Sequence, residues 1–445
     1  MEYEVVVIGA GIGGLTAAAV LAKRGVNVCL LERQSYAGGC AAVVEHSGYQ
    51  FEPTHGLYCG WEPGGVFDRL FGELVCPPPR ARLLSTPYLV RLPDGLEIPR
   101  IVGEDFELSL QAAFPECAEA AIEFYRDLNN ANSGETRTWT HFGSCSARFR
   151  SFIDVQLRAL AQCTSAACGQ RLAAMALDPQ SSFWEIEGGL QSLIEALLDS
   201  FKHSGGKLRL NSTVLRLAYG PDGSPVGVDL LNGERLFATQ AIVGNLTIWD
   251  TYGKLIGPAR TPSQISSALK GMSGLGTYQM FLTLAEPAVA ALPADRILIL
   301  TDAPEDTADR EENQLTFYRS PTQDPAVSTA VVSAYTNAED WFAFHEDLSA
   351  FEDRDQSLLE RIWPRLHAAM PELGAAVELI ETATPQTFYE TTRRRFGMIG
   401  RPAAAGPVTS RPFPNLWLVG DTVAEVFGVH GAVESARLTA QQILS

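Results

Sequence analysis

An α/β fold built on a parallel sheet, with a second, mixed α+β domain beside it, is predicted by three features of the sequence. Residues 5–39, VVVIGAGIGGLTAAAVLAKRGVNVCLLERQSYAGG, join a β-branched run, a glycine-spaced turn, an Ala- and Leu-rich segment and a second apolar run. Residues 207–244 carry alternating runs separated by two turn signals, Pro221-Asp222-Gly223 and Asn232-Gly233. Residues 415–444, NLWLVGDTVAEVFGVHGAVESARLTAQQIL, bring a short apolar run, a Gly-Asp turn and an amphipathic helix. The 445 residues, 46% hydrophobic and 19% charged, suffice for two or three domains or one composite unit.

Val5 to Ile8 are contiguous β-branched residues, as expected of a strand buried on both faces. Gly9-x-Gly11-x-x-Gly14 follows, with Gly13 in the same loop. Gly9 permits the tight turn, Gly11 lets a pyrophosphate approach the backbone, and Gly14 lets helix and strand pack closely. Leu15 to Arg24 is predicted helical, Gly25 ends it, and Val26 to Leu31 forms the second strand. The free N–H groups and dipole at the helix start favour a phosphate. Glu32 follows Gly14 by 18 positions, where a carboxylate can accept hydrogen bonds from both ribose hydroxyls. That favours an unphosphorylated ribose over NADP and leaves NAD and FAD both open. Arg33 and the pair Gly38-Gly39 come next, and a second close backbone approach suits a long dinucleotide.

The uncharged run from Val5 to Ala22 invites a reading as a signal peptide or anchor. Its leader, Met1 to Glu4, carries two Glu and no Lys or Arg, and its glycines serve no spanning helix. No other strongly apolar run approaches a membrane-spanning length. The eight cysteines all precede residue 169, with no CxxC and no zinc spacing. Reduced thiols, no metal site and a cytoplasmic protein are expected, with peripheral contact at a membrane surface left open. The net charge of −18 argues against nucleic acid as a partner. Arg393, Arg394, Arg395 and Arg401 form a local basic patch, read either as solvated surface or as a functional cluster.

In the closing stretch Leu416 to Val419 is predicted to be a strand and Gly420 a close turn. Asp421 presents a carboxylate to hydroxyls, or merely caps the turn. Gly428 and Gly431 keep backbone near a flat ring, and Val433 to Leu444 is an amphipathic helix whose N–H groups can stabilise negative charge. Between these ends, strand-like YLVRLPDGLEIP at 88–99 precedes helical stretches near 105–131 and 148–176. Strands are expected at 277–285, 296–301, 314–318 and 329–335, a helix near 355–369, and a polar surface loop at 300–314. These segments should make a sheet with helices over one face.

The sequence resembles the FAD-dependent amine-oxidase-like superfamily, and within it the phytoene desaturase and carotenoid isomerase group. The likeness rests on residues 5–39, GYQFEPTHGLY at 48–58, FWEIEGGLQSLIEALLDSFKHSGGKLRLNSTVLRL at 183–217, TPQTFYETTRRRFGMIGR at 384–401, and residues 415–444. It implies a discontinuous Rossmann-like FAD-binding domain of residues 1–75, 185–260 and 384–445, with a substrate domain of 76–184 and 261–383. It implies FAD along Gly9, Gly11, Gly13, Gly14, Glu32, Arg33, Gly38 and Gly39, with Val214 beside the adenine end. Thr54 and His55 would lie near the flavin, Gly420 and Asp421 at the ribityl chain, and Gly428 and Val429 at the isoalloxazine. One departure stands out: the family has a proline near the second glycine of the closing motif, where this chain has Gly428-Val429-His430-Gly431.

His55 and His430 are therefore the candidates to move a proton or polarise the flavin, against the plainer reading of hydrogen-bonded structural histidines. Thr54 bonds the ring edge or packs. Tyr58 and Trp61 line the cavity or fill core. The aromatic run 340–351, DWFAFHEDLSAF, edges a lipid-facing entrance or is a packed helix. The implied activity is an FAD-dependent oxidoreductase acting on a small hydrophobic isoprenoid or polyene, by desaturation or redox-neutral isomerisation. Two alternatives are an FAD oxidase of an amine or biosynthetic intermediate, and a flavin-binding protein without turnover. No second nucleotide fingerprint is present, so electrons would pass to oxygen, to a quinone, or back to the substrate.

Overall fold

The computed structural model of the chain describes residues 1–101, 104–128, 145–166, 168–178, 181–272, 274–301, 311–320, 327–342, 347–400, 411–424 and 428–445. Two seven-stranded sheets organise them. The first is centred on β1 (Glu2–Ile8), which pairs in parallel with β2 (Val28–Leu31) on one side and with strand Arg235–Gly244 on the other. Val5 and Val7 face one core and Val6 and Ile8 the other, which is why the run is apolar without alternation.

Helix α1 (Ile12–Lys23) covers one face of this sheet with helices Gly189–His203 and Gly428–Leu444. Its residues Leu15, Val20 and Leu21 are essentially inaccessible. Each such side chain contributes roughly 1.5–3 kcal/mol of burial free energy. The helix begins three residues earlier than expected, because Gly11 is its N-cap and Gly13 and Gly14 form its first turn. β2 starts at Val28, not at position 26. Strands Val214–Tyr219, Pro225–Leu230 and Arg235–Gly244 form the expected antiparallel meander. Strand Lys207–Arg209 leaves it and pairs in parallel with β2. Strand Leu416–Leu418 joins the far end of Arg235–Gly244 in parallel, and so carries the closing segment to the first crevice.

The second sheet runs in the order Val377–Ala383, Leu275–Leu284, Ser328–Asn337, Gln314–Arg319, Arg296–Leu300, Leu89–Arg91 and Glu97–Pro99. Helix Leu348–Ala369 covers one face, against Ile297 and Ile299. The helices between 104 and 177 pack on the opposite face, against Leu298 and Leu300. The expectation of helices on one face is thus corrected to helices on both.

Other elements differ in detail. The stretch 105–131 holds helices Glu104–Ala113 and Ala118–Leu128, interrupted at Pro115. The stretch 148–176 holds Ala147–Ala161 and Gln170–Leu177, the first ending at Gln162 in a left-handed conformation. Residues 340–351 are not one helix: a 3₁₀ turn ends at Trp341, which is fully buried and stacks on Tyr278, and a new helix starts at Leu348. Trp341 is therefore core, not an entrance. Of the expected 300–314 loop, 302–310 lie outside the described residues, while Glu312, Asn313 and Gln314 are buried. None of the eight cysteines forms a disulfide. Among the described residues no helix is long and apolar enough to cross a membrane.

Candidate functional site

The C-terminal end of β1 opens a crevice floored by glycine. Gly9 adopts φ 91°, which turns the chain into α1, and a Cβ on Gly14 would lie 1.9 Å from the Gly9 carbonyl oxygen. Gly13 faces the closing segment, where its Cβ would stand 3.1 Å from Gly420 Cα. The Asn245 side chain fills the gap between them, within 2.8 Å of where a Cβ of Gly11 or Gly420 would be. Its own N–H donates to the Ile8 carbonyl at 2.8 Å. Asn245 was not singled out from sequence, and its only signal is its place directly after an apolar strand.

Glu32 directly follows β2, with both carboxylate oxygens held by backbone. Ala10 N–H donates to Oε2 and Gln34 N–H to Oε1, each at 2.8 Å. Gly38 and Gly39, at φ 122° and 61°, cross beside Gly11. Gly38 N–H donates to the Ala10 carbonyl at 2.8 Å. Arg33 donates to the Thr391 carbonyl at 2.5 Å. Ser212 N–H donates to the Glu32 carbonyl at 2.7 Å, which sets Val214 on the same wall.

The loop after Phe51 carries the first histidine. Thr54 Oγ1 donates to Glu52 Oε1 at 2.8 Å, and the Tyr58 hydroxyl donates to the same oxygen. Burial raises the Glu52 pKa above the ordinary carboxylate value, against the lowering hydrogen bonds from Tyr58 and Thr54. Thr54 thus bonds an acid of its own loop. Arg296 Nε donates to the His55 carbonyl at 3.1 Å and ties the loop to the second sheet. Burial pushes the His55 imidazole down to about 4, only partly offset by a hydrogen bond to the Ala159 backbone.

His430 lies in the first turn of the closing helix, which starts at Gly428 and not at Val433 as expected from sequence. Its Nδ1 is 3.6 Å from Cys59 Sγ, and it packs over Gly60, whose Cβ would come within 2.7 Å of that nitrogen. Burial lowers its pKa too, against a raising hydrogen bond to the Cys59 backbone and the carboxylates of Glu434 and Glu62. Burial thus disfavours the protonated form of both histidines.

Asp421 is not a free carboxylate. Arg394 clamps it with Nη1 to Oδ1 at 3.1 Å and Nη2 to Oδ2 at 2.9 Å, while its Nε donates to the Met398 carbonyl at 2.8 Å. Burial works against the Arg394 charge, but Asp421 together with Cys40 and Asp250 holds the guanidinium pKa above its ordinary value. Arg394 therefore belongs to the site, Arg393 is exposed, and Arg401 lies outside the described residues.

Of the site residues expected from sequence, all except Gly14 line one cavity of about 510 Å³, with Asn245 and Arg394 on the same wall, and Gly14 stands behind it against Gly9. Beyond the histidines the wall becomes largely apolar, with Leu57, Leu160 and Phe183, and is closed by the second sheet through Thr277, Gln279, Ser333 and Tyr335. Tyr58 lines the cavity, whereas Trp61 stacks on Phe67 at 4.3 Å in the first core. Among the described residues no cluster of His, Cys, Asp or Glu could hold a metal.

A family model described as flavin containing amine oxidoreductase matches residues 52–444, and one described as an NAD(P)-binding Rossmann-like domain matches residues 7–74. The chain is similar to prolycopene isomerase 2, chloroplastic, of an Oncidium hybrid cultivar, at 26% identity over 511 residues, covering 99% of this chain and 84% of that protein. It is similar to all-trans-retinol 13,14-reductase of Homo sapiens at 25% identity, covering 100% and 86%. Among solved structures, an oxidoreductase from Methanosarcina mazei matches with a TM-score of 0.74 at 19% identity, covering 99% of this chain and 100% of that one.

Proposed function

The chain belongs to the flavin-containing amine oxidoreductase family and is an FAD-dependent oxidoreductase, and on that footing we propose that it adds, removes or relocates hydrogen on a long polyene or related isoprenoid. One observation carries this reading: a single cavity joins a glycine-floored dinucleotide crevice to a largely apolar chamber between two sheets. The two curated relatives are named for polyene substrates. Desaturation needs an external acceptor such as oxygen or a quinone, saturation needs an external two-electron donor that reduces the flavin, and relocating a double bond needs neither.

The crevice suits FAD. Gly9, Gly11, Gly13, Gly38 and Gly39 line the cavity with bare backbone that a diphosphate can approach, while Asn245 takes the space that a Cβ at Gly11, Gly13 or Gly420 would fill. In this proposal the first-turn N–H groups of α1 hold the diphosphate, Glu32 receives ribose hydroxyls, and Val214 flanks the adenine. Asp421 receives ribityl hydroxyls, its charge balanced and its orientation set by Arg394. When bound, FAD supplies the two-electron redox couple. The largely apolar walls exclude water and align the polyene with the ring. His430, its pKa lowered by burial at the start of the closing helix, accepts or returns a proton through a ring nitrogen. His55, neutral and enclosed, offers a second such position.

The test is direct. Purified protein loaded with FAD, either oxidised or first reduced with dithionite, is incubated anaerobically and aerobically with a poly-cis carotene, phytoene and all-trans-retinol, and the products are resolved by chromatography. A shifted double-bond pattern in any of them supports the proposal. Unchanged polyenes together with peroxide released from soluble amines would replace it with the amine-oxidase reading.

A further inference from the structure

Two polar pairs interrupt the face of the second sheet that closes the cavity. Strands Leu275–Leu284 and Ser328–Asn337 run antiparallel, with Thr277 opposite Tyr335 and Gln279 opposite Ser333. All four side chains line the cavity. Strand alternation sends the intervening Tyr278, Met280, Val332 and Ala334 to the other face, into the core under helix Leu348–Ala369. One step along the cavity-side face, Phe281 and Val331 are apolar again and pack on Phe51. The polar group is therefore local, with apolar side chains next to it.

Gln279 is only 3% exposed and Ser333 7%. The Gln279 amide donates to Ser333 Oγ at 3.2 Å and to the Pro53 carbonyl at 3.4 Å, while its Oε1 has no partner among the described residues. A buried amide oxygen without a donor is unfavourable and rarely kept unless a ligand or water supplies one. A pure hydrocarbon supplies none. It would also strip water from Thr277 and Tyr335 and give nothing back.

Building on the polyene reading above, we infer that the substrate is an oxygenated polyene, a polyene alcohol, whose hydroxyl seats against Gln279 and Ser333. A hydroxyl matches this set because it donates and accepts at once. It donates to Gln279 Oε1 and accepts from the Ser333 or Tyr335 hydroxyl. A carboxylate could only accept, and would face the Gln279 oxygen unfavourably.

The experiment uses FAD-loaded protein and three probes of equal length and unsaturation: all-trans-retinol, the hydrocarbon in which methyl replaces its CH2OH group, and all-trans-retinoic acid. Binding is followed by quenching of protein fluorescence. The alcohol should bind at least about tenfold more tightly than either other probe. In the double variant Gln279→Leu/Ser333→Ala that preference should collapse to about twofold or less. Equal binding of hydrocarbon and alcohol by the unaltered chain overturns the inference, whether or not the variant folds. Tighter binding of the acid overturns it as well. Binding of the hydrocarbon alone rejects the alcohol but keeps the polyene reading, whereas binding of none rejects both.

Discussion

Arg394 and Asp421 meet in a two-point ion pair, at 3.1 and 2.9 Å, that joins the turn after helix Pro385–Thr392 to the turn after strand Leu416–Leu418. Neither side chain is more than a quarter exposed. The pair therefore fixes a carboxylate on the cavity wall and leaves a costly lone charge if either partner is removed.

Arg394→Met should weaken FAD binding by about 10- to 100-fold, and Arg394→Lys should restore only part of it, because an ammonium cannot match the two-point geometry. Flavin released on desalting, measured by its fluorescence, gives the result. Retention equal to that of the parent chain would remove Arg394 from the cofactor's surroundings.

Glycine substitutions should separate packing from strain. Gly14→Ala places a methyl group 1.9 Å from the Gly9 carbonyl oxygen, so α1 must lift off β1, and a loss of more than about 4 kcal/mol is expected. Gly25→Ala meets no atom within 4 Å and carries only the strain of φ 84°, about 1–2 kcal/mol. Chemical denaturation of the two variants side by side checks the order. A Gly14→Ala protein as stable as Gly25→Ala would contradict the close approach.

The pH dependence of stability should carry the mark of His55. Its pKa falls from the ordinary 6.5 to about 4 on folding. Above pH 6.5 the ring is neutral in both states and costs nothing. As pH falls towards 4 the unfolded chain takes up a proton that the folded chain refuses, and stability drops by up to about 3 kcal/mol. His55→Gln should remove that slope between pH 6.5 and 4. Parallel stability curves for the two proteins would show that His55 titrates normally.

His430→Asn should keep FAD stoichiometry near that of the parent and slow flavin reduction or substrate isomerisation by about 100-fold. Flavin absorbance on rapid mixing with substrate separates the two effects. An unchanged rate would make His430 a packing residue against Gly60.

The βαβ unit was legible in the sequence because its parts are neighbours along the chain. Gly9, Gly11, Gly14 and Glu32 act within one turn, one helix and two strands, where propensity and periodicity are local properties. The closing segment was legible for the same reason, although its helix begins at Gly428, ahead of the apolar stretch that announced it. Pro115 breaks its stretch by a strong local signal that lies inside an otherwise continuous apolar pattern, and between Trp341 and Leu348 the same kind of pattern runs across a real break.

The sequence alone therefore determined the fold class, the dinucleotide crevice and the two histidines worth watching. Tertiary structure decided that Arg394 neutralises Asp421, that Asn245 wedges between Gly11 and Gly420, and that Gln279 stands opposite Ser333 with one oxygen unpartnered among the described residues. Those relationships depend on register and on segments that meet across long stretches of chain. A hydrogen bond is a matter of ångströms, and no local pattern of residue types specifies which distant partner will stand within reach.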